Sequence, residues 1–237
     1  MPPTMPGYET KQERIAVTGV GSLDIRSLRD RQQFADPLGL ALRLGISSAT
    51  WPLFGLLWPS GAQLAACMAQ RPVRLGERVL EIGCGLALPS LVGHRRGMDI
   101  TASDCHPLAS RFLRNNLRLN HLAPMKYRHG AWGAPQPAAV TATTAHSTTV
   151  RERYDLLIGS DLLYDRDASV ALAGFIGLHA QAAAEVWIVD PDRSNRPAFT
   201  RLMADNGFGL TQQRLDTVAT STAPLYKGRL LVYQRAA

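Results

Sequence analysis

The chain has 237 residues, of which 46% are hydrophobic and 19% charged, a composition typical of a globular domain and unlike fibrous or disordered chains. The net charge of +7 comes from 26 basic residues spread along the chain without a basic block, and only three of them are Lys, a pattern that disfavours nucleic-acid binding. No apolar run approaches the roughly 20 residues that span a bilayer, and the first residues lack the apolar segment of a secretory signal. We therefore expect a cytoplasmic protein with no membrane partner.

The N-terminal quarter predicts an extension to the main domain. Residues 1–12 are polar and contain Pro and Gly, which predicts a disordered arm. Alternating apolar residues at 14–18 and 23–26 predict a hairpin, and Asp36-Pro37 predicts a short helix that ends at Gly45. We assign residues 13–57 to this extension and 58–237 to the main domain, with a first helix starting at Pro59-Ser60.

From Arg78 onward, short apolar runs alternate with amphipathic stretches, the pattern of βαβ units on a parallel sheet. The predicted strands are 78–82, 99–104, 125–129, 154–160 and 185–190, and the predicted helices are 87–96, 106–119, 167–181 and 195–206. Two more strands, 209–216 and 228–235, follow without a helix between them, which predicts an antiparallel pair at one sheet edge. Residues 133–150 are rich in Ala, Thr and Pro and predict a surface insertion.

A glycine turn follows the first of these strands, with the sequence Glu81-Ile82-Gly83-Cys84-Gly85. A strand, a glycine turn and a helix let backbone approach a nucleotide-like ligand closely. The dinucleotide fingerprint requires a third glycine at position 88, where this chain has Leu88 followed by Pro89. Glu81 would repel a pyrophosphate but attract a sulfonium or ammonium group. The turn therefore favours S-adenosylmethionine over NAD, unless Glu81 only satisfies loop amides.

The second strand ends in Asp104, about 20 positions after the turn, where nucleotide-binding folds place a carboxylate that binds the ribose. We predict that Asp104 binds the ribose, and the alternative is that it caps the following helix. The three cysteines show no CxxC spacing and the six histidines no HxxxH or HExxH spacing, so we predict neither a disulfide framework nor a metal site.

These motifs resemble the class I, seven-β-strand methyltransferases through EIGCG at 81–85, SD at 103–104 and SDLLYD at 160–165. The similarity is greatest to the branch that mostly methylates protein lysines and carries a DxxY signature, here Asp161 to Tyr164. The D-P-x-R sequence at 190–193 is similar to members that modify electron-transfer flavoprotein β-subunits. Ala87 departs from many relatives, which have Gly there, and we expect the small alanine to be tolerated.

The resemblance implies a Rossmann-like doubly wound sheet with strand order 3-2-1-4-5-7-6 and strand 7 antiparallel. It also implies S-adenosyl-L-methionine as cofactor, S-adenosyl-L-homocysteine as product, and a cofactor site made of Trp58, Glu81, Gly83, Cys84, Gly85, Asp104, Trp132 and Ser160. The flat rings of the two tryptophans would pack on adenine or flank the sulfonium, and the alternative for each is a place in the core.

We assign catalysis to Asp161, which would orient the acceptor amine and receive or relay its proton, and to Tyr164, which would line the acceptor channel. The alternatives are that Asp161 caps a helix and that Tyr164 packs in the core. The predicted acceptor is a protein lysine. The alternatives are a small-molecule amine and a catalytically idle binding module.

Overall fold

The computed structural model describes residues 7–130, 132, 149–218 and 225–236. The strands are β1 (Thr10–Val17), β2 (Gly21–Leu28), β3 (Arg78–Ile82), β4 (Asp99–Asp104), β5 (Lys126–His129), β6 (Tyr154–Ser160), β7 (Ala180–Asp190), β8 (Gly209–Arg214) and β9 (Arg229–Arg235). The helices are α1 (Leu40–Arg43), α2 (Pro59–Gln70), α3 (Leu88–Arg95), α4 (Ala109–Leu119), α5 (Arg166–His179) and α6 (Arg196–Asp205), with a short 3-10 helix over Trp51–Gly55. No helix within these ranges is long and apolar enough to cross a membrane.

Seven strands form one sheet in the order β5-β4-β3-β6-β7-β9-β8. The first five run parallel to one another, and β9 pairs antiparallel with both β7 and β8. Numbered from β3, this order is 3-2-1-4-5-7-6 with strand 7 antiparallel, so the predicted fold class is confirmed. The carboxyl ends of the parallel strands lie at one sheet edge, where open α/β sheets bind their ligands.

Helices cover both faces of the sheet because its strands are apolar on both sides. Val79 packs in a core with residues of α2, α3 and α4, whereas its neighbour Leu80 packs in a second core with α5 and α6. Successive side chains of a strand point to opposite faces, which explains this division. The hairpin of β1 and β2 contributes Leu23 and Ile25 to the first core, and both are fully buried.

Two predictions for the N-terminal part differ from the structure. β1 begins at Thr10, inside the predicted arm of residues 1–12, because Thr10–Gln12 pair with Leu28–Arg26. The arm's residues 1–6 lie outside the described ranges. The helix predicted from Asp36 is only the four residues of α1, since Gly39 adopts a left-handed φ of 62° and Asp36 instead accepts a hydrogen bond from the Leu42 N–H.

Two later boundaries also differ. α4 starts at Ala109 rather than 106, because the preceding residues form a turn on Asp104. β7 starts at Ala180 rather than 185, although QAAAE has helical composition. Arg235 explains the extended conformation, since its guanidinium donates hydrogen bonds to the carbonyl oxygens of Gln181 and Ala182. Most of the predicted insertion at 133–150 lies outside the described residues, but Val150 is buried.

Candidate functional site

The glycine turn after β3 requires glycine at two positions. Gly83 and Gly85 have φ values of 61° and 51°, which side chains rarely adopt. A Cβ on Gly85 would lie 2.7 Å from the Phe54 carbonyl oxygen, and one on Gly83 would lie 2.7 Å from Cδ2 of Leu162. The turn is therefore held between the 3-10 helix on one side and the loop after β6 on the other.

Ala87 adopts the left-handed conformation, with φ 60°, as the residue before α3. This conformation costs an L-residue about 1 kcal/mol or more, and glycine avoids that cost. The Ala87 side chain is nevertheless fully buried, so the position accommodates a methyl group. The backbone conformation would therefore suit glycine, and this chain adopts it with alanine.

The backbone N–H groups of the turn are already bonded within the protein. The Cys84 N–H donates to the Ser103 carbonyl oxygen at 2.9 Å, and the Gly85 N–H donates to Oδ2 of Asp104 at 2.8 Å. These two groups are not free to bind a pyrophosphate, which dinucleotide-binding loops hold through their backbone N–H groups. The Cys84 side chain is buried, and burial raises the pKa of its thiol well above its ordinary value.

Asp104 joins the loops after β3 and β4. Its Oδ1 accepts the His106 N–H at 2.8 Å while Oδ2 accepts the Gly85 N–H. The residue is 6% exposed, and burial raises the pKa of its carboxyl group. Helix α4 begins at Ala109 after Leu108, without a side-chain cap, so Asp104 is not the cap of that helix.

Glu81 lies behind the turn. It is 2% exposed, and its Oε2 accepts hydrogen bonds from both the N–H, at 2.9 Å, and the hydroxyl of Ser90 in α3. Burial, with a smaller contribution from the nearby Asp104, raises the pKa of this carboxyl group to about 8. Glu81 therefore satisfies an amide in the first turn of α3, whereas the alternative interpretation expected loop amides, and its direct contact with a cofactor stays a prediction.

A buried aromatic cluster lies next to Asp104, and the sequence analysis did not predict that Trp51 and Phe54 join His106 there. The rings of Phe54 and His106 stack with centroids 3.7 Å apart, and the edge of Trp51 packs against both. His106 is buried, and this burial lowers its pKa to about 3, so the ring is neutral near pH 7. The helical spacing of Trp51 and Phe54 was the feature of the sequence that could have predicted their contact.

The loop after β6 carries Asp161 in an uncommon left-handed conformation, with φ 58°. Its N–H donates to the Val189 carbonyl oxygen at 3.0 Å, and its Oδ1 forms an ion pair with Nη2 of Arg193 at 2.8 Å. Asp165 caps α5 by accepting the Asp167 N–H, so Asp161 is not the cap of that helix. The backbone strain at Asp161 is typical of functional sites.

The D-P-x-R sequence after β7 supplies the partner of Asp161. Asp190 is fully buried, and its Oδ1 accepts the Arg193 N–H at 2.8 Å. Its Oδ2 and the Nε of Arg193 are buried without a hydrogen-bond partner among the described residues. Asp190, Arg193 and Asp161 thus form a network that links the ends of β7 and β6, and the pairing of Arg193 with Asp161 is an addition to the sequence prediction.

Tyr164 and Trp132 lie together at the turn. Their ring centroids are 6.2 Å apart, and Cζ2 of Trp132 lies 3.6 Å from the Cβ position of Gly83. Tyr164 is 60% exposed, which excludes the alternative that it packs in the core. The structure therefore brings an aromatic pair from two loops beside the glycine turn.

The last two predicted cofactor residues, Trp58 and Ser160, lie beside the first turn of α2. Trp58 precedes the helix, its indole N–H donates to the Leu53 carbonyl oxygen at 2.9 Å, and the Arg31 guanidinium lies 5.0 Å from its ring centroid. The hydroxyl of Ser160 lies 3.6 Å from the Cβ position of Gly61 in the first turn of α2. These contacts do not involve the glycine turn.

Comparisons with known proteins agree with the fold. No family model matches the sequence, and no curated protein matches it significantly. Solved structures of methyltransferases superpose on the chain, among them ribosomal protein L11 methylase from Lactobacillus delbrueckii subsp. bulgaricus. It is 15% identical, with a TM-score of 0.52 over 76% of this chain and 81% of that one.

Two further structures were solved with ligands. Magnesium protoporphyrin IX methyltransferase from Synechocystis, with bound SAM, is 17% identical, with a TM-score of 0.52 over 75% of this chain and 78% of that one. A 16S rRNA methyltransferase from T. thermophilus, with AdoMet and guanosine, is 14% identical, with a TM-score of 0.56 over 99% of this chain and 52% of that one. The fold is thus that of the class I methyltransferases, and the names of the similar proteins cover protein, porphyrin and RNA.

Proposed function

We propose that this protein is an S-adenosylmethionine-dependent N-methyltransferase whose acceptor is a lysine side chain of a protein. One observation carries the proposal. The glycine turn bonded to Asp104 contacts the half-buried Trp132 at Gly83, and Trp132 packs beside the exposed Tyr164. A donor half and an acceptor half thus share one edge of the sheet.

The residues around the turn fit the proposed cofactor. Glu81 and Asp104 are buried carboxyl groups whose pKa values are raised by burial, and a cationic ligand beside them would favour their ionised forms. The loop amides bonded to Ser103 and Asp104 argue against a pyrophosphate at the same place. The bound cofactor would supply a methyl group on a positively charged sulfur.

Asp161 and Tyr164 fit the handling of an amine acceptor. A lysine amine has an ordinary pKa of about 10.4, so it must lose a proton before it can accept a methyl group. Arg193 holds Oδ1 of Asp161 at 2.8 Å, and we assign Oδ2 to the acceptor amine or to a water that relays its proton. The rings of Tyr164 and Trp132 would cover the side chain of the acceptor.

The cofactor is tested by calorimetry with S-adenosylhomocysteine and with NAD. We expect binding of the former alone, because the turn lacks the third glycine and free amides of a dinucleotide site. Binding of NAD alone would overturn the assignment.

The acceptor is tested by incubating the protein with radiolabelled cofactor and an extract of cells that lack it. A labelled protein band whose label is recovered as methyllysine after hydrolysis supports the proposal. Label confined to small molecules would favour the small-molecule amine. Binding of S-adenosylhomocysteine without any transfer would favour the idle binding module.

A further inference from the structure

A polar cleft lies between the hairpin and α4, on the flank of the molecule. It encloses about 440 Å³ and adjoins a second hollow of about 410 Å³, and the two share Arg26, Asn115 and Arg118. Arg111 and Arg114 line the second hollow. We name these two hollows and their four arginines, Arg26, Arg111, Arg114 and Arg118, the arginine cleft.

Three of these arginines lie on one face of α4. Arg111, Arg114 and Arg118 are three and four residues apart, which aligns them along the helix, and all three are exposed. Within the described part of the chain, none of the four cleft arginines lies within ion-pair distance of a carboxylate. By contrast, the single carboxylate of Asp192 forms ion pairs with three arginines, Arg196, Arg214 and Arg229.

The fold holds these charges together despite their repulsion. Oδ1 of the buried Asn116 accepts the Arg26 N–H at 2.8 Å, and the Asn120 side chain bonds to both the N–H and the carbonyl of Asp24. These bonds fix β2 along α4, and the Arg26 Nε–H also donates to the Thr10 hydroxyl at 3.0 Å. Like charges at this spacing destabilise a helix, and an anion bound among them would offset that repulsion.

We infer that the arginine cleft is the docking surface for a carboxylate-rich segment of the acceptor protein. The inference rests on the proposed function, since it describes the substrate of the same site. Guanidinium groups bind carboxylates through two parallel hydrogen bonds, which suits a cleft whose charge comes mainly from four arginines, with Lys11 at its side.

The size and the lining of the cleft favour a peptide over RNA. Thr10, Lys11, Gln12, Asn115 and Leu119 complete its lining, and these described residues include no aromatic ring on which a base could stack. Arg111 and Arg118 are separated by only about 10 Å along the helix axis, as seven residues at 1.5 Å each imply, which matches a few carboxylates.

The position of α4 connects the cleft to the proposed active site. Ala109, the first residue of the helix, follows Asp104 by five residues, so the first turn lies at the carboxyl edge of the sheet. Arg111 is in that turn, and the cleft runs from there along the flank. A segment bound to the arginine cleft would therefore lead an adjoining lysine toward the edge where Asp161 and Tyr164 lie.

The inference is tested by replacing Arg111, Arg114 and Arg118 together with Gln. The matched control replaces Arg43, Arg151 and Arg201, three exposed arginines outside the cleft, and removes the same charge. Fluorescence anisotropy measures binding of a labelled oligoglutamate peptide and of a short labelled RNA. We expect the peptide Kd to rise at least about tenfold in R111Q/R114Q/R118Q and to change less than about twofold in the control.

The second measurement is radiolabelling of extract proteins by both variants. Loss of the labelled band in the cleft variant alone, with unchanged affinity for S-adenosylhomocysteine, supports the inference. Equal peptide binding by both variants, tighter binding of RNA than of peptide by the wild type, or an equally labelled band would overturn it. If no variant labels any protein, the proposed function fails, and the peptide measurement still decides whether the cleft binds carboxylates.

Discussion

The two halves of the candidate site are built in opposite ways. The half at β3 and β4 is buried and bonded inward, since the carboxyl groups of Glu81 and Asp104 accept hydrogen bonds from Ser90, Gly85 and His106. The half at β6 and β7 is more open, with Tyr164 60% exposed and Asp161 held by an ion pair with Arg193. The first half depends on backbone shape, and the second depends on side chains brought from two loops.

This difference indicates which properties each half controls. A preformed backbone turn suits a ligand that is the same in every reaction, as the proposed cofactor would be. An open rim of side chains suits an acceptor that differs among proteins of one fold, since specificity is carried by loops on a common scaffold. Substitutions in the two halves should therefore affect cofactor affinity and methyl transfer separately.

Gly85→Ala should have the largest effect. The new Cβ would lie 2.7 Å from the Phe54 carbonyl oxygen at a φ of 51°, so the turn must move. We expect the free energy of unfolding to fall by about 2–4 kcal/mol and binding of S-adenosylhomocysteine to be lost. Urea denaturation and calorimetry measure both. The control is Gly45→Ala, where φ is 75° with no atom within 4 Å, and it should cost only about 1 kcal/mol.

Asp161→Asn should separate the two halves most clearly. The amide keeps the shape of the side chain but removes the charge that pairs with Arg193 and that we propose receives or relays the proton of the acceptor amine. We expect methyl transfer to fall about hundredfold with cofactor affinity changed less than about twofold. Asp167→Asn, in the first turn of α5, is the control. Near-wild-type turnover of Asp161→Asn would contradict its catalytic role.

Asp104→Asn should act on the donor half. An amide nitrogen at this position would face an N–H group of either Gly85 or His106, because the carboxylate accepts from both. We expect the affinity for S-adenosylhomocysteine to fall at least about tenfold, measured by calorimetry. Asp99→Asn, exposed at the opposite end of β4, is the matched control and should bind normally. Equal affinities of the two variants would remove Asp104 from the cofactor site.

The pH dependence of stability tests the burial of Glu81. Burial raises the pKa of this carboxyl group from 4.5 to about 8, so the folded state binds more protons than the unfolded state between these values. The contribution of Glu81 to stability therefore falls as the pH rises from about 5 to 8. Glu81→Gln should be more stable than the wild type at pH 8, by about 1 kcal/mol or more. The difference in stability between the two proteins should be smaller at pH 5. Urea denaturation of both proteins across this pH range measures the difference. Stabilities that change with pH in the same way in both proteins would contradict the raised pKa.

Local sequence determined much of the fold. Short segments with apolar centres predicted β3, β4 and β6 with the bounds that the structure has, because strands covered on both faces are rich in apolar residues. The glycine turn was also predictable from the sequence, because φ values near 50° to 60° favour glycine at single positions. The starts of α4 at Ala109 and of β7 at Ala180 were not predicted. The His106 N–H forms a local turn with Asp104 before α4, and the distant Arg235 bonds to the carbonyl oxygen of Gln181 in β7.

Only the tertiary structure decided which side chains meet. Asp161 and Arg193 are 32 residues apart and pair because β6 and β7 are neighbours whose carboxyl ends share an edge. Arg26 joins the arginines of α4 because Asn116 binds β2. A pattern of residue types restricts what each segment can become, but contacts between segments depend on strand order and on packing across the whole sheet. The glycine turn was therefore predictable from the sequence, and the ion pair between Asp161 and Arg193 was not.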